Sequence, residues 1–438
     1  MGVYTYLFGA SLFMAIVMNK GGKWLSKKLN KSIIFMYNKR IKTYPFKEVL
    51  PYLILTSCIV ILHLFSKDGG VNMLNVSVMM VASFSVLLRL RELKRYDWGL
   101  ILLWGVMFLS ASQNSNFRQS TFLYSGLFIF QFISLRIYSK YIRVNKYLAF
   151  LRFLIFAYWG VLLIQQISEI TGFSGFNRNG EFFIRFKMNS LAQEPSMLPP
   201  SVALLFLMYI RIKYLNRVNV IDLKQLYKEN KKICWILLYI LLSCGTTSAI
   251  ILLPIILLFF LKNHIVKYIP FFCAILLSGS VLINYFYPQT IERISNILGV
   301  IGSFDPMAIY DADQSGSARI SPYLFYLYDF DLKNPNFWFG FGHDYGAKHL
   351  SWEMLGKEFG YEVGIGGIIN YLYDYGFLIF AFFMFLMRQI VFKSFLSWDF
   401  FFWIFAFSMQ TFNMPIFWAF FTFTYVTRLM EIKYSKLQ

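Results

Sequence analysis

Residues 147–170, YLAFLRFLIFAYWGVLLIQQISEI, decide the class of this protein. The run exceeds the roughly 20 apolar residues that an α-helix needs to cross a bilayer. A short basic segment, 136–146, comes just before it. Similar runs lie near 3–18, 48–65, 71–90, 98–112, 119–137, 197–212, 233–245, 247–262, 266–287, 365–386, 395–410 and 413–428. They predict one all-α, polytopic integral membrane bundle over 1–438, with about 12–13 transmembrane helices. Composition points the same way. The chain is 58% hydrophobic and 15% charged, whereas soluble domains average about 45–50% and about 25%. A transmembrane barrel would instead show ten-residue alternations, so helices must satisfy the backbone within the lipid.

The net charge of +20 raises the possibility of nucleic-acid binding, but the placement of the charges speaks against it. Alternate loops at 19–47, 89–97, 136–146, 211–232, 262–267, 388–393 and 428–438 hold 31 of the 42 lysines and arginines. Short basic loops of this kind set membrane orientation. They are expected on the cytoplasmic side with the C-terminus, which places the N-terminus outside. Cys58, Cys234, Cys244 and Cys273 all fall in apolar runs without metal or redox spacing, and read as small buried hydrophobes. The first apolar run follows Met1-Gly2 with no basic stretch, so a cleavable signal peptide is not expected.

Two long loops remain on the outer side, 171–196 and 288–364. The second holds ten of the 22 acidic residues against five basic ones. Basic residues run against the orientation bias there, so each external arginine needs a reason. In the first loop, FNRNGEFFIRFKMNSLAQEPSMLPP (176–200), Arg178, Arg185 and Lys187 precede Glu194. Pro195-Ser196 marks the start of a helix, where a carboxylate is favoured by the dipole. Glu194 is either a simple helix cap or a carboxylate beside an anion site.

The second loop contains DADQSGSARISPYLFYLYDF (311–330), in which Arg319 follows a small, flexible run and precedes an aromatic, amphipathic helix at the interface. NPNFWFGFGHDYGAKH (334–349) comes next. Asn334-Pro335 turns the chain, Phe337-Trp338-Phe339 anchors at the interface, and Gly340 and Gly342 permit close backbone approach. His343 beside Asp344 has the chemistry of a general base. His349 is a weaker candidate, and His63 and His264 fall at helix ends. The triplets Asp311-Ala312-Asp313 and Asp329-Phe330-Asp331 have metal-binding chemistry, but such pairs arise easily in so acidic a loop. In GIGGIINYLYDYGF (364–377), Asn370 and Asp374 share one helix face near the outer surface. SCGTTSAII (243–251) reads as a tight outer turn.

Taken in order, these pieces resemble the bacterial O-antigen polymerase (Wzy) family, relatives of the O-antigen ligases within the GT-C glycosyltransferases. The features are Arg185 followed by Glu194-Pro195-Ser196, then Thr247-Ser248-Ala249-Ile250, then SGSAR ending at Arg319, GFGHDYG (340–346), and NYLYDYG (370–376). The ligases carry a His-Asn pair about ten residues before the final glycine. Val363-Gly364-Ile365-Gly366 stands there instead, which favours polymerase over ligase. A polysaccharide flippase fits less well, because flippases have short loops.

The resemblance implies transfer of a growing glycan from undecaprenyl pyrophosphate onto a lipid-linked repeat unit, at the periplasmic face of the bacterial inner membrane. Its partners would be those lipid-linked oligosaccharides, the bilayer and a chain-length regulator, with no nucleic acid. Pyrophosphate is a good leaving group and a concentrated anion, which guanidinium groups match. Arg185 and Arg319, helped by Arg178 and Arg293, would hold it. Glu194 or His343 would take the proton from the attacking hydroxyl, and Asp344 and Tyr345 would orient sugar or imidazole. With arginines supplying the positive charge, neither metal nor cofactor is required.

Overall fold

The computed structural model describes residues 46–62, 72–112, 119–172, 176–177, 188–215, 223–244, 288–312, 314–355, 367–407 and 410–435, with isolated positions between 246 and 259. The expected runs at 3–18 and 266–287 lie outside them, as does most of 247–262. Among the described residues every regular element is a helix.

The first helices are α1 (Phe46–Ile59), α2 (Met73–Leu87), α3 (Arg95–Ser112), α4 (Gln119–Tyr138), α5 (Val144–Thr171), α6 (Leu198–Lys213) and α7 (Leu223–Ser243). Five short ones fill the expected second loop: α8 (Pro288–Val300), α9 (Pro306–Ala312), α10 (Gln314–Asp329), α11 (Pro335–Phe339) and α12 (Tyr345–Leu355). The chain ends with α13 (Gly367–Ile390), α14 (Trp398–Phe407) and α15 (Pro415–Ser435). Segments Phe122–Tyr141, Val144–Thr171, Pro195–Lys213 and Gly367–Ile390 are long and apolar enough to cross a membrane.

Two helices are interrupted, one of them within an expected span. Helix α7 starts ten residues before the apolar run and kinks at Asn230, whose side-chain amide bonds the Leu226 carbonyl at 2.8 Å. Helix α13 breaks at Gly376 (φ 78°, ψ 170°). The Ser315–Ala318 run, expected to be flexible, lies inside α10.

Helix α6 is the core of the bundle. Every residue from Leu198 to Ile210 is buried, and it packs on α5, α7 and α15. Helix α15 also meets α1, α4 and α14, through Trp418, Phe420, Phe421 and Phe423, all at most 1% exposed. Small polar groups join neighbouring helices where apolar packing alone is not directional. Ser85 and Ser134 hydroxyls meet at 2.7 Å between α2 and α4, and the Gln131 amide donates to Ser57 Oγ at 2.6 Å between α4 and α1.

The basic loops converge. Arg136 pairs with Asp97 and also donates to the Glu92 carbonyl at 3.1 Å. Lys140 reaches Glu92 at 2.7 Å, and Lys146 reaches Glu48 at 2.8 Å. Arg211 grips Glu431 with Nε at 2.9 Å and Nη2 at 2.8 Å, and Asp399 with Nη1 at 2.5 Å. Arg428 donates to the Val391 and Phe392 carbonyls, and Lys433 to the Lys140 carbonyl. Basic segments far apart in sequence therefore share one end of the bundle.

Asp97 is 0% and Arg136 9% exposed, so removing the cation strands a buried carboxylate. Arg136→Met is expected to destabilise the detergent-solubilised protein by about 3–5 kcal/mol. The measurement is a melting curve beside wild type and Asp97→Asn/Arg136→Met, with the double variant recovering part of the loss.

Candidate functional site

The break in α13 creates the site. A helix that stops at Gly376 leaves the carbonyls of Tyr373 and Asp374 without their usual partners four residues on, and buried carbonyls need partners. The glycine loop supplies them. The Phe341 N–H donates to the Tyr373 carbonyl at 2.8 Å and the Gly342 N–H to the Asp374 carbonyl at 3.1 Å. Ser110 Oγ, at the end of α3, donates to the same Asp374 carbonyl at 3.3 Å.

The approach is backbone on backbone. A Cβ on Gly340 (φ 94°) would sit 2.3 Å from the Asp374 carbonyl oxygen, and one on Gly376 would sit 2.4 Å from the Gly340 nitrogen. Only glycine fits either place.

The Asp374 side chain then fixes the backbone just beyond the glycines. Its carboxylate accepts the Asp344 N–H at 3.1 Å and the Gly346 N–H at 2.8 Å. These amides open α12, so a carboxyl group from a different helix satisfies that N-terminus. Asp344 itself takes a left-handed conformation, φ 62°.

His343 lies under this arrangement, 2% exposed. Its Nδ1 bonds the Tyr375 hydroxyl, and its Nε2 stands 3.6 Å from Asp344 Oδ1. Burial holds the imidazole below its ordinary value of 6.5, while the Asp344 charge pulls the other way. The ring is therefore neutral at pH 7, and its Tyr375 and Asp344 neighbours hold the loop. His343, Asp344 and Asp374 each offer one ligand atom, all within 4.8 Å of one another. A divalent cation bound by nitrogen and oxygen sits about 2.0–2.6 Å from its ligands. The trio has the chemistry to hold one, although both Asp374 oxygens already accept amides.

A small aromatic core underlies the loop, built from Tyr326, Phe337, Leu350, Ile369, Leu372 and Tyr373. Asn334 caps α11 through its side chain, accepting the Asn336 N–H at 3.0 Å, with Pro335 at the first helical position. Of the expected interfacial trio, Phe337 turns inward, 3% exposed, and Phe339 stays 63% exposed. Tyr345 stacks between Phe341 (centroids 4.6 Å) and His349 (5.3 Å). Asp329 is occupied, accepting the Tyr373 hydroxyl at 2.6 Å and facing His349 Nε2 at 2.8 Å. Asp331 closes its own turn on the Lys333 N–H at 2.9 Å. The triplet 329–331 thus serves local contacts, and Asp313 of the other triplet lies outside the described residues.

Glu194 stands elsewhere, half-buried at the start of the short turn Pro195–Met197 that leads into α6. Its side chain makes no capping bond to that turn and accepts the Ser196 hydroxyl at 3.3 Å. Ser248 Oγ donates to the Ser196 carbonyl at 2.9 Å, so the 194–196 and 246–249 segments touch.

Behind them is a buried polar knot that sequence patterns did not show. Asn177 Nδ2 bonds the carbonyls of Ile61 at 2.9 Å and Ser190 at 2.8 Å. Gln165 Oε1 accepts the Ser190 N–H at 2.9 Å, and Ser190 Oγ donates to the Tyr158 carbonyl at 2.6 Å. The two ends of 178–187 are thereby tied together. Arg178 and Arg185 lie outside the described residues, as do the side chains of Arg293 and Arg319, whose backbones belong to α8 and α10.

Two outcomes are expected. Gly376→Ala forces a near-glycine-only conformation and a backbone clash, at a cost on the order of 3 kcal/mol. Limited proteolysis should then cut 340–346 before the rest of the bundle melts. Acidification should also loosen the loop. The unfolded chain takes up a proton below about 6.5 that buried His343 resists. Stability is therefore full above 6.5 and falls as pH drops from there toward the lowered folded-state value. Melting curves at pH 7.5 and 5.5 should differ more for wild type than for His343→Gln.

Comparison with protein-family models, curated proteins and solved structures gave no match for this chain.

Proposed function

We propose that this protein is a GT-C-type membrane glycosyltransferase that polymerises lipid-linked repeat units, as the resemblance to the O-antigen polymerases implies. It moves a glycan from undecaprenyl pyrophosphate to the hydroxyl of an acceptor repeat at the periplasmic face. One observation carries the reading. Four of the five segments that make up the resemblance, which spans residues 185–376, meet in two pairs: Ser248 on Ser196, and the Asp344 and Gly346 amides on Asp374. Both pairs lie among apolar helices.

The chemistry asks for two things. The departing diphosphate needs cations, assigned to Arg185 and Arg319 with Arg178 and Arg293. The attacking hydroxyl needs one base, for which the sequence offers Glu194 and His343. Asp344, 3.6 Å from the His343 ring, and Tyr345, stacked on Phe341, suit orientation. The exposed edge of the aromatic stack gives sugars a flat apolar surface.

The test is a reconstitution. Purified protein and a lipid-linked repeat unit, with and without chelator, should yield a ladder of products on a gel. Arg319→Lys keeps the charge but loses the fork, and should shorten the ladder by about tenfold in rate or more at normal protein level. A ladder of wild-type length from that variant removes Arg319 from the site. Transfer of a single glycan to a core oligosaccharide with no ladder identifies a ligase instead.

A further inference from the structure

We infer that His349, oriented by Asp329, is the general base of the glycosyl-transfer reaction; this rests on the function proposed above and names the catalytic group that it needs.

Geometry separates this histidine from His343. His343 is 2% exposed and engaged by Tyr375, so a sugar hydroxyl cannot reach it without unpacking the glycine loop. The His349 side chain is 22% exposed. Its Nε2 lies 2.8 Å from Asp329 Oδ2, the oxygen that also accepts the Tyr373 hydroxyl at 2.6 Å. An ionised carboxylate only accepts, so Nε2 must carry the hydrogen and Nδ1 must present its lone pair. The ring is held on both sides, stacked on Tyr345 at 16° and met edge-on by Tyr373 at 63°. Asp329 comes from α10, Tyr373 from α13 and His349 from α12, so the group exists only when these three helices are docked.

An imidazole fixed in one tautomer, backed by a carboxylate and with a lone pair on its other nitrogen, is equipped to take a proton. The aromatic row Phe341, Tyr345 and His349 gives the acceptor sugar a surface that ends at this nitrogen.

In the step, the acceptor hydroxyl gives its proton to His349 Nδ1 while its oxygen bonds to the anomeric carbon of the donor. The bond from that carbon to the pyrophosphate oxygen breaks, and its electron pair leaves with the lipid diphosphate. The imidazolium formed is stabilised by Asp329 and later returns its proton to water. Asp329 is thus a positioning residue and His349 the catalytic one. The titratable groups against the ring are Asp329, Tyr345 and Tyr373; α9, which also packs on α12, brings Asp311, exposed to solvent.

The experiment has two arms. Nitrogen NMR of imidazole-labelled protein reads tautomers directly, since the chain has four histidines and His349→Gln assigns the signal. The His349 signal is expected to report hydrogen on Nε2 in wild type and a mixture in Asp329→Asn. In the reconstituted assay, His349→Gln should lower kcat by about 100-fold or more with KM little changed. Asp329→Asn should lower kcat by about tenfold or more with KM little changed, and the mixed tautomer signal beside it is a change that a purely structural role does not produce. Wild-type kcat in His349→Gln, or hydrogen on Nδ1 in wild type, overturns the base assignment alone. A wild-type protein that forms no glycosidic bond at all overturns the transferase function and the base assignment with it.

Discussion

Asp374 holds the glycine loop in place. Where α13 breaks, two carbonyls and a carboxylate on one turn face a glycine loop, and every one of them is met by a backbone amide. Without that exchange, the break would leave polar backbone buried among apolar side chains, at a cost of about 1–3 kcal/mol for each lost partner. With it, residues 340–346 are anchored, the first amides of α12 gain acceptors, and His343, Tyr345 and His349 acquire fixed positions. Gly340 and Gly376 are the condition for this, since any side chain at either would hold the two backbones apart.

The same logic recurs at the base of the other long loop. Gln165 sits inside an apolar helix, and Asn177 and Asn189 sit beside it in irregular backbone. Their amides satisfy the carbonyls of Ile61, Asn177, Ser190 and Ala192. Non-helical chain is tolerated among membrane helices only when protein groups replace water in this way. Both loop regions are thus supported by side-chain amides or carboxyl groups.

The opposite end relies on charge. Arg136 with Asp97, and Arg211 with Asp399 and Glu431, are shielded from water and bring together segments that the sequence could only group by their basic character. Shielded pairs of this kind contribute little net stability, but they fix which helix ends lie side by side. They also give several cations of so basic a chain a place within its own loops.

The helical class and most helix positions were legible in the sequence, because in lipid each helix must satisfy its own backbone, and that requirement is written locally as apolar runs. The turn at Asn334-Pro335, the close backbone approach at Gly340 and Gly342, and Asp374 as a polar group on a helix face near the outer surface were legible from local sequence too, whereas the helix that Asn334 caps was not. The break at Gly376 was not, since hydropathy averages over it, and neither was the helical turn and kink at Asn230, which precede the apolar run. Nor was the company of each histidine. His343 looked like the base because Asp344 stands next to it in sequence, whereas its ring is packed against Tyr375, 32 residues away. His349 looked the weaker candidate because its partners, Asp329 and Tyr373, lie 20 and 24 residues from it. Those pairings came from the folded molecule alone, because they arise where separate helices dock, and docking depends on the path of the whole chain.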